Sequence, residues 1–496
     1  MEERKGFGTN FGFLMAAVGS AVGLGNIWGF PNKMGASGGF TFLIIYLVLA
    51  VLCGFIVMVG ELALGRKTHH GAVGAYKALS KKFKWMGWLG ILSAFFILFF
   101  YCALGGYCIK YVVLNVGDLF HAGFGANALA ETAAANGNSL GAEVFGAFMS
   151  SPTEAIVFGL IFVALTMVIV LGGIGGGIEK VCSVGMPALF VMLLICIIRA
   201  CTLEGAVDGL KYMFVPGWAV ANGVIPEAPN FLTVLSTAGG QMFFSLSLGM
   251  GAMITYGSYL DKGENLPKNS VIIVIADTIV AIMAGLAVIP AAVANGIAKG
   301  IPVGDIKLGG PSLLFATLQD VFHDMGAIGG IFGTIFYILV LIAAISSAIS
   351  LIEAVSVTFI DRASAKGHET NRAKVLAIVC LVITVLACLV AADGLGSNGI
   401  APKDIFHIDS KADWCADWLD FMDTWSEGIA MPLGAMLMSI MIGWQIKPKA
   451  LYDEIGSGYK GKALGFWSFC IKFICPIVMF FVLLVQVSGF FGLGWF

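Results

Sequence analysis

The residues best able to do chemistry lie inside an apolar run, Gly19-Ser-Ala-Val-Gly-Leu-Gly-Asn-Ile-Trp-Gly-Phe-Pro31. Glycine and proline weaken a helix interior, and backbone groups freed in hydrocarbon are costly unless something else satisfies them. A helix that unwinds at membrane depth exposes carbonyl oxygens suited to a cation and amides suited to a carboxylate. A second interrupted stretch, Gly239-Gly-Gln-Met-Phe-Phe-Ser-Leu-Ser-Leu-Gly-Met-Gly251, offers the same groups. Ser346 and Ser347 add adjacent hydroxyls, and Asp277 puts a carboxylate in an apolar segment, where an ionisable group points to function. Plainer readings stand beside these. Glycines also serve close helix packing, and paired serines can bond back to their own helix.

The elements that must position these residues are membrane helices. Hydrophobic residues make up 59% of the chain and charged residues 12%, about half the charge of an average soluble domain; mean hydropathy is +0.94. Apolar windows long enough to span fall at 11–30, 40–64, 86–113, 154–172, 183–203, 233–259, 269–291, 328–360, 375–392, 425–446 and 465–490, eleven in all. With the N-terminus in the cytoplasm, inside segments carry 19 of the 28 Lys and Arg residues, as the positive-inside rule requires. Eleven spans then leave the C-terminus outside, in a bacterial inner (plasma) membrane. The charged Glu2–Lys5 run leads straight into span 1, so no separate cleavable leader is expected. The net charge of −2 and the lack of a basic patch give no sign of nucleic-acid binding. No CxxC pattern appears and all six histidines fall in loops, which argues against a metal or haem centre in the bundle. No nucleophile–base pair stands in the spans and no GxxxxGK[ST] motif is present, so neither an enzyme nor an ATP-driven pump is expected.

The interruptions fall in spans 1 and 6, which suggests two five-helix halves, 1–203 and 233–446. Together they form one transporter domain over 1–446, followed by a loop and an additional helix over 447–496. Five spans per half is an odd number, so the second half must be inverted. Broken helices at matching places in inverted halves are the sequence pointer to a midplane transport site. Gly172-Gly-Ile-Gly-Gly-Gly177, at a span end, reads as a loop or hinge.

The motif at 19–31 resembles the first-helix signature of the neurotransmitter:sodium symporters. Further similarities follow in order: Gly60-Glu-Leu-Ala-Leu-Gly-Arg66, Gln241-Met-Phe-Phe-Ser-Leu-Ser-Leu-Gly-Met-Gly-Ala252, Thr255-Tyr-Gly-Ser-Tyr259 and Ala343-Ala-Ile-Ser-Ser347. Eleven helices resemble the prokaryotic amino-acid branch. The resemblance implies an all-α membrane protein of leucine-transporter type, a 5+5 inverted repeat with helices 1 and 6 unwound. It also implies two Na⁺ ions and no organic cofactor. A dehydrated Na⁺ takes about five or six hard oxygen donors. One set would be Gly19, Val22 and Ala343 carbonyls with Ser346 and Ser347 hydroxyls. The other would be Ala21, Asn26, Ser245, Asp277 and the substrate carboxylate. Many family members have Asn at 277, and chloride-dependent ones place Ser where this chain has Ala281, while Tyr46, Gln241 and Ser245 match the remaining chloride positions. Chloride-independent transport is therefore expected; the alternative role for Asp277, when protonated, is to move H⁺ on the return step.

By the same resemblance, amides of Leu24 and Gly25 and the Tyr101 hydroxyl meet the substrate carboxylate. Gly23 stands where monoamine transporters carry Asp, which favours a substrate with its own carboxylate. Its ammonium would meet Ala21, Phe244 and Ser245 carbonyls and the Ser247 hydroxyl. Ile97, Leu104, Phe244, Met250, Ser347 and Leu351 line an apolar side-chain pocket. At the inner gate Arg4 and Asp361 match the family ion pair, with Phe7 in place of Trp and Tyr259 nearby. At the outer gate Asp423 and Phe244 match, but Gly29 replaces the expected Arg, and Lys33 is expected to substitute as partner of Asp423. Glu61 is expected to brace the span-1 break, Glu353 to line the inner exit or cap a neighbouring helix, and Glu427 and Lys472 to snorkel at span ends. The function implied is Na⁺-coupled symport of neutral amino acids by alternating access. A betaine or taurine-like substrate, or a transport-inactive sensor on the same fold, are the alternatives.

Overall fold

The computed structural model describes residues 7–306, 308–310, 312–367, 371–408, 413–456 and 462–495. Among these, every regular element is helical. The long elements are α1 (Asn10–Ala21) and α2 (Gly25–Ala36), α3 (Phe40–Thr68), α4 (Met86–Leu119), α5 (Pro152–Leu171), α6 (Ile174–Cys201), α7 (Phe231–Ser245) and α8 (Ala252–Gly257). They continue with α9 (Leu266–Ala298), α10 (Gly329–Ser364), α11 (Arg372–Asp393), α12 (Trp418–Ile446) and α13 (Lys462–Phe490).

Nine described helices are individually long and apolar enough to cross a membrane, and α1 with α2 makes a tenth span bent by 45°. The eleventh expected segment, 233–259, exists as α7 and α8, pieces of 15 and 6 residues that are each too short to span alone. Both expected interruptions are therefore real breaks in helix. Several other elements start where polar side chains supply the missing acceptors of a first turn. Thr9 Oγ1 accepts from Gly12 N at 2.9 Å, Asn265 Oδ1 from Lys268 N at 3.0 Å and Asp417 Oδ1 from Asp420 N at 2.7 Å. The Gly172–Gly177 stretch is a turn followed by wide π-type winding: Gly173 adopts φ +74° and Ile174–Glu179 opens α6.

Packing separates a protein-facing centre from a lipid-facing rim. The core helices α4 and α10 lie against one another, with Ile97, Leu98 and Phe100 on α4 and Ala343, Ala344 and Ile349 on α10 fully buried. By contrast, α5, α6 and α11 leave Val168, Val184 and Leu381 more than 60% exposed. Apolar faces this open are expected where lipid, not water, is the solvent. Breaks at α1/α2 and α7/α8 sit inside that packed centre, where their freed backbone groups need protein partners.

Candidate functional site

The first break is held open from three sides. Leu24 N donates to the Tyr101 hydroxyl oxygen at 2.9 Å, Gly23 N to Asn26 Oδ1 at 3.0 Å, and Gln241 Nε2 to the Gly25 carbonyl at 2.7 Å. A Cβ built on Gly23 would run into Ser347 Oγ and the Tyr101 hydroxyl, so this position admits no larger residue without displacing them.

On the α10 side, the expected oxygens converge. Ser347 Oγ lies 3.2 Å from the Gly19 carbonyl and 3.3 Å from that of Val22, while Ser346 Oγ lies 3.4 Å from Val22 O and 3.0 Å from Ala343 O. Oxygens sharing one hard cation at ~2.4 Å sit roughly 3.4 Å apart along a coordination edge, and these four separations are near that length. Ser346 does bond back to its own helix, as the plainer reading holds; Ser347 reaches across to α1 instead. Ser20, which sequence reasoning passed over, ties the cluster together. Its carbonyl accepts from Ser347 Oγ at 3.2 Å and Ser247 Oγ at 2.8 Å, and its hydroxyl donates to Ser350 Oγ at 2.7 Å. Its place inside the 19–31 motif was the available signal.

Asp277 on α9 is buried and faces three donors. Asn26 Nδ2 donates to Oδ1 at 2.7 Å, Ser245 Oγ lies 2.9–3.0 Å from both oxygens, and the Tyr46 hydroxyl donates to Oδ2 at 3.3 Å. Asn26, Ser245 and Asp277 are thus brought together, and Ala21 is the last residue of α1. Gln241 does not join this cage: its amide nitrogen is committed to Gly25, and its Oε1 is buried without a partner. Ala281 lies on the same helix as Asp277 and is fully buried.

The second break is a left-handed excursion. Ser247, Gly249 and Gly251 take φ of +54°, +81° and +82°. Glu61 accepts from Gly249 N at 2.7 Å, so it braces this break and not the span-1 break assigned to it from sequence. The reason is topological: α3 passes α8, as the contacts of α3 with Ala252–Gly257 show. Ile97, Leu104, Phe244, Met250 and Leu351 are all buried, and Phe100, absent from the expected set, packs against Phe244 at 6.3 Å between ring centres.

The two ends of the site are closed differently. Toward the N-terminal end, Glu353 is fully buried between Arg372, at 2.5 and 3.1 Å, and the Tyr259 hydroxyl, at 2.9 Å. Glu353 is therefore an ion-pair partner. Arg372 went unrecognised because its partners Glu353 and Val170 lie 19 and 202 positions away in the chain, and only the fold joins them. Phe7 packs edge-on against Tyr256 and Tyr259, and Asp361 accepts from Gly71 N at 3.0 Å. Arg4 lies outside the described residues. Glu179, also unforeseen, accepts from Gly8 N at 2.8 Å and ties the residues before α1 to the first turns of α6. At the opposite end Lys33 pairs with Glu427, not with Asp423 as expected from sequence, because Glu427 points into the bundle with its side chain 7% exposed. Glu427 therefore does not snorkel. Lys472, by contrast, lies on α13 over the Trp444 ring at 4.3 Å.

Comparison with known proteins agrees with this geometry. The family model described as the sodium:neurotransmitter symporter family matches residues 4–120 and 153–494. An uncharacterised sodium-dependent transporter of Bacillus subtilis is 33% identical over 97% of this chain and 98% of its own length. Another from Haemophilus influenzae is 29% identical over 99% of both. The crystal structure of MhsT in complex with L-phenylalanine superposes with a TM-score of 0.80 at 32% identity, covering 97% of this chain and 100% of that one. The broken helices, the oxygen cluster between them and these likenesses make one case: the chain is a multi-pass membrane protein belonging to the sodium:neurotransmitter symporter family, whose members are secondary transporters and not enzymes.

Proposed function

We propose that this protein imports neutral, apolar amino acids together with two Na⁺ ions, without a chloride requirement, by alternating access about the α1/α2 and α7/α8 breaks. The observation that carries the reading is the meeting of α1 carbonyls with Ser346 and Ser347 hydroxyls, next to an amide–hydroxyl pair at Leu24 and Tyr101. Carbonyls and hydroxyls are donors for a hard cation. A helix-start amide and a tyrosine hydroxyl suit a carboxylate. Those last two bond each other, and a substrate carboxylate would take both donors.

The ions and the amino acid then support one another. One Na⁺ would sit on Gly19, Val22, Ala343, Ser346 and Ser347. The second would use Ala21, Asn26, Ser245, Asp277 and the substrate carboxylate, so each ligand supplies charge the other lacks. Asp277 gives the site a built-in negative charge where other family members recruit an anion, which supports chloride independence. The buried side chains of Ile97, Leu104 and Met250 offer no countercharge to a cationic or acidic side chain. That the structural relative was solved with L-phenylalanine supports the same class of substrate. The positive-inside distribution supports a cytoplasmic N-terminus, Asp361 and Tyr259 at the inner gate, and an external C-terminus.

The test is uptake of each of the twenty amino acids, betaine and taurine into proteoliposomes under an imposed Na⁺ gradient. Neutral apolar amino acids should accumulate, accumulation should vanish when choline replaces Na⁺, and gluconate in place of chloride should change nothing. Asp277→Asn should weaken apparent Na⁺ affinity or create a chloride requirement. A variant with neither change would overturn the role given to Asp277.

A further inference from the structure

The outer end of the site lacks the arginine that its family resemblance leads one to expect, and the residues around Gly29 show what replaces it. A Cβ on Gly29 would meet Gln241 Oε1 at 2.9 Å, and that oxygen is buried with no hydrogen-bond donor. The cation has moved four residues along α2, to Lys33. Helical side chains lean toward the N-terminus of their helix, so Lys33 leans back toward the break; its ammonium lies 6.0 Å from the centre of the Phe244 ring. Its partner has moved by the same number of residues on α12, from Asp423 to Glu427. Room for that carboxylate comes from Gly240 on α7, where a Cβ would stand 3.0 Å from Glu427 Oε1. Asp423 stays beside Glu427, close enough to share a hydrogen bond with it. Both helices are widened at this level: Gly25–Gly29 and Thr424–Ala430 are π-wound, a form that recurs at functional sites.

We propose that the outer gate of this transporter is the Lys33–Glu427 ion pair, a latch that joins α2 to α12 across Phe244, with Asp423 as its reserve carboxylate. The pair is partly desolvated, with side chains 20% and 7% exposed, so breaking it by truncation leaves an unpaired charge in a low-dielectric position. A lysine latch also differs from an arginine one. Its single ammonium on a flexible stem cannot make the planar two-point grip of a guanidinium, so Lys33 can pass between Glu427 and Asp423 as the gate opens. The inference rests on the transport reading and the membrane orientation given above.

Two measurements on the full chain in detergent or proteoliposomes test it. The first needs no transport: an amine-reactive reagent is applied and modification of Lys33 is read by peptide mass spectrometry. Lys33 should be protected in the wild type and in Asp423→Asn, and labelled at least about fivefold faster in Glu427→Gln, because loss of a buried partner exposes the charge. The second is Na⁺-driven accumulation of a radiolabelled amino-acid mixture. Lys33→Ala should lower it by about tenfold or more, Glu427→Gln by less, and Asp423→Asn within about twofold, the order expected if the pair carries the closing energy. The exchange Lys33→Glu with Glu427→Lys should recover most of the loss, which a residue needed only for folding would not do. Faster labelling in Asp423→Asn than in Glu427→Gln overturns the latch, as does a folded double exchange no better than either single change. If the double exchange does not assemble, the order of the two isosteric variants decides alone. A wild type that accumulates nothing under Na⁺ would refute the transport reading and leave the labelling result to judge the ion pair.

Discussion

The two helix breaks use opposite strategies for the same problem of orphaned backbone groups. At α1/α2 the partners are hydroxyls and amides that a ligand could replace: Tyr101, Ser346, Ser347 and Asn26. At α7/α8 the partner of Gly249 N is the buried carboxylate of Glu61, and the backbone itself is pressed against its neighbours. Left-handed φ at three of five consecutive residues costs little only where glycine provides it; Ser247 stands in this region at +54° and anchors its hydroxyl on Ser20 O at 2.8 Å. The difference teaches a division of labour. The first break is met by neutral hydroxyls and an amide, and the second carries a carboxylate brace at Gly249 N.

If that division holds, damage to the brace should destroy the molecule and damage to the ligand set should spare it. The largest effect is expected for Gly249→Ala. Its φ of +81° is left-handed, and a Cβ there would run into the Met431 carbonyl, a backbone atom that cannot move aside cheaply. The strain alone is about 1–2 kcal/mol, and the clash adds to it, so folded yield by size-exclusion chromatography should collapse. A monodisperse, wild-type-like Gly249→Ala would erase the distinction between the breaks. Next comes Ser347→Ala. It removes a hydroxyl shared among the Gly19, Ser20 and Val22 carbonyls but leaves the helix intact. Thermal stability should fall by less than about 1 kcal/mol, whereas apparent Na⁺ affinity in the uptake assay should drop by about tenfold, the equivalent of ~1.4 kcal/mol. The reverse pattern, lost stability with unchanged Na⁺ dependence, would make Ser347 part of the scaffold.

How much of this was visible in the sequence follows from the range of each interaction. Helix breaks are written locally: Gly19–Pro31 and Gly239–Gly251 each hold their own glycines, and both became breaks. The oxygen sets were legible only through the family motifs, since Gly19 and Ser347 are 328 residues apart and nothing local links them. Charged residues fared worst. Hydropathy says that Glu427 lies near a span end, but not which way it points, and the choice between lipid edge and Lys33 depends on helix rotation. Glu61 was given the wrong break for the same reason: a buried carboxylate needs donors, yet only packing of α3 on α8 selects Gly249. Arg66 looks in sequence like one more cytoplasmic cation. It is instead buried at 1% exposure, donating to Glu454 and to the carbonyls of Asp261 and Glu264.

The smallest predicted effect is the sharpest probe of the ligand-bearing break. Tyr101→Phe keeps the ring in its buried place on α4 and deletes one oxygen, the acceptor of Leu24 N at 2.9 Å. Without substrate this strands one buried amide, at a cost of about 1–3 kcal/mol. In the substrate-bound protein, on the reading above, the carboxylate satisfies that amide but loses the tyrosine donor. The two losses partly cancel, so KM should rise only about twofold to tenfold while kcat and folded yield stay near wild type. The cancellation is specific to a carboxylate. For an amino-acid amide in place of the acid, the hydroxyl no longer meets a charge, and the variant should discriminate between acid and amide less well than the wild type by a similar factor. Equal discrimination in both proteins would mean that Tyr101 only holds Leu24 in place, and that the carboxylate is read elsewhere in the break.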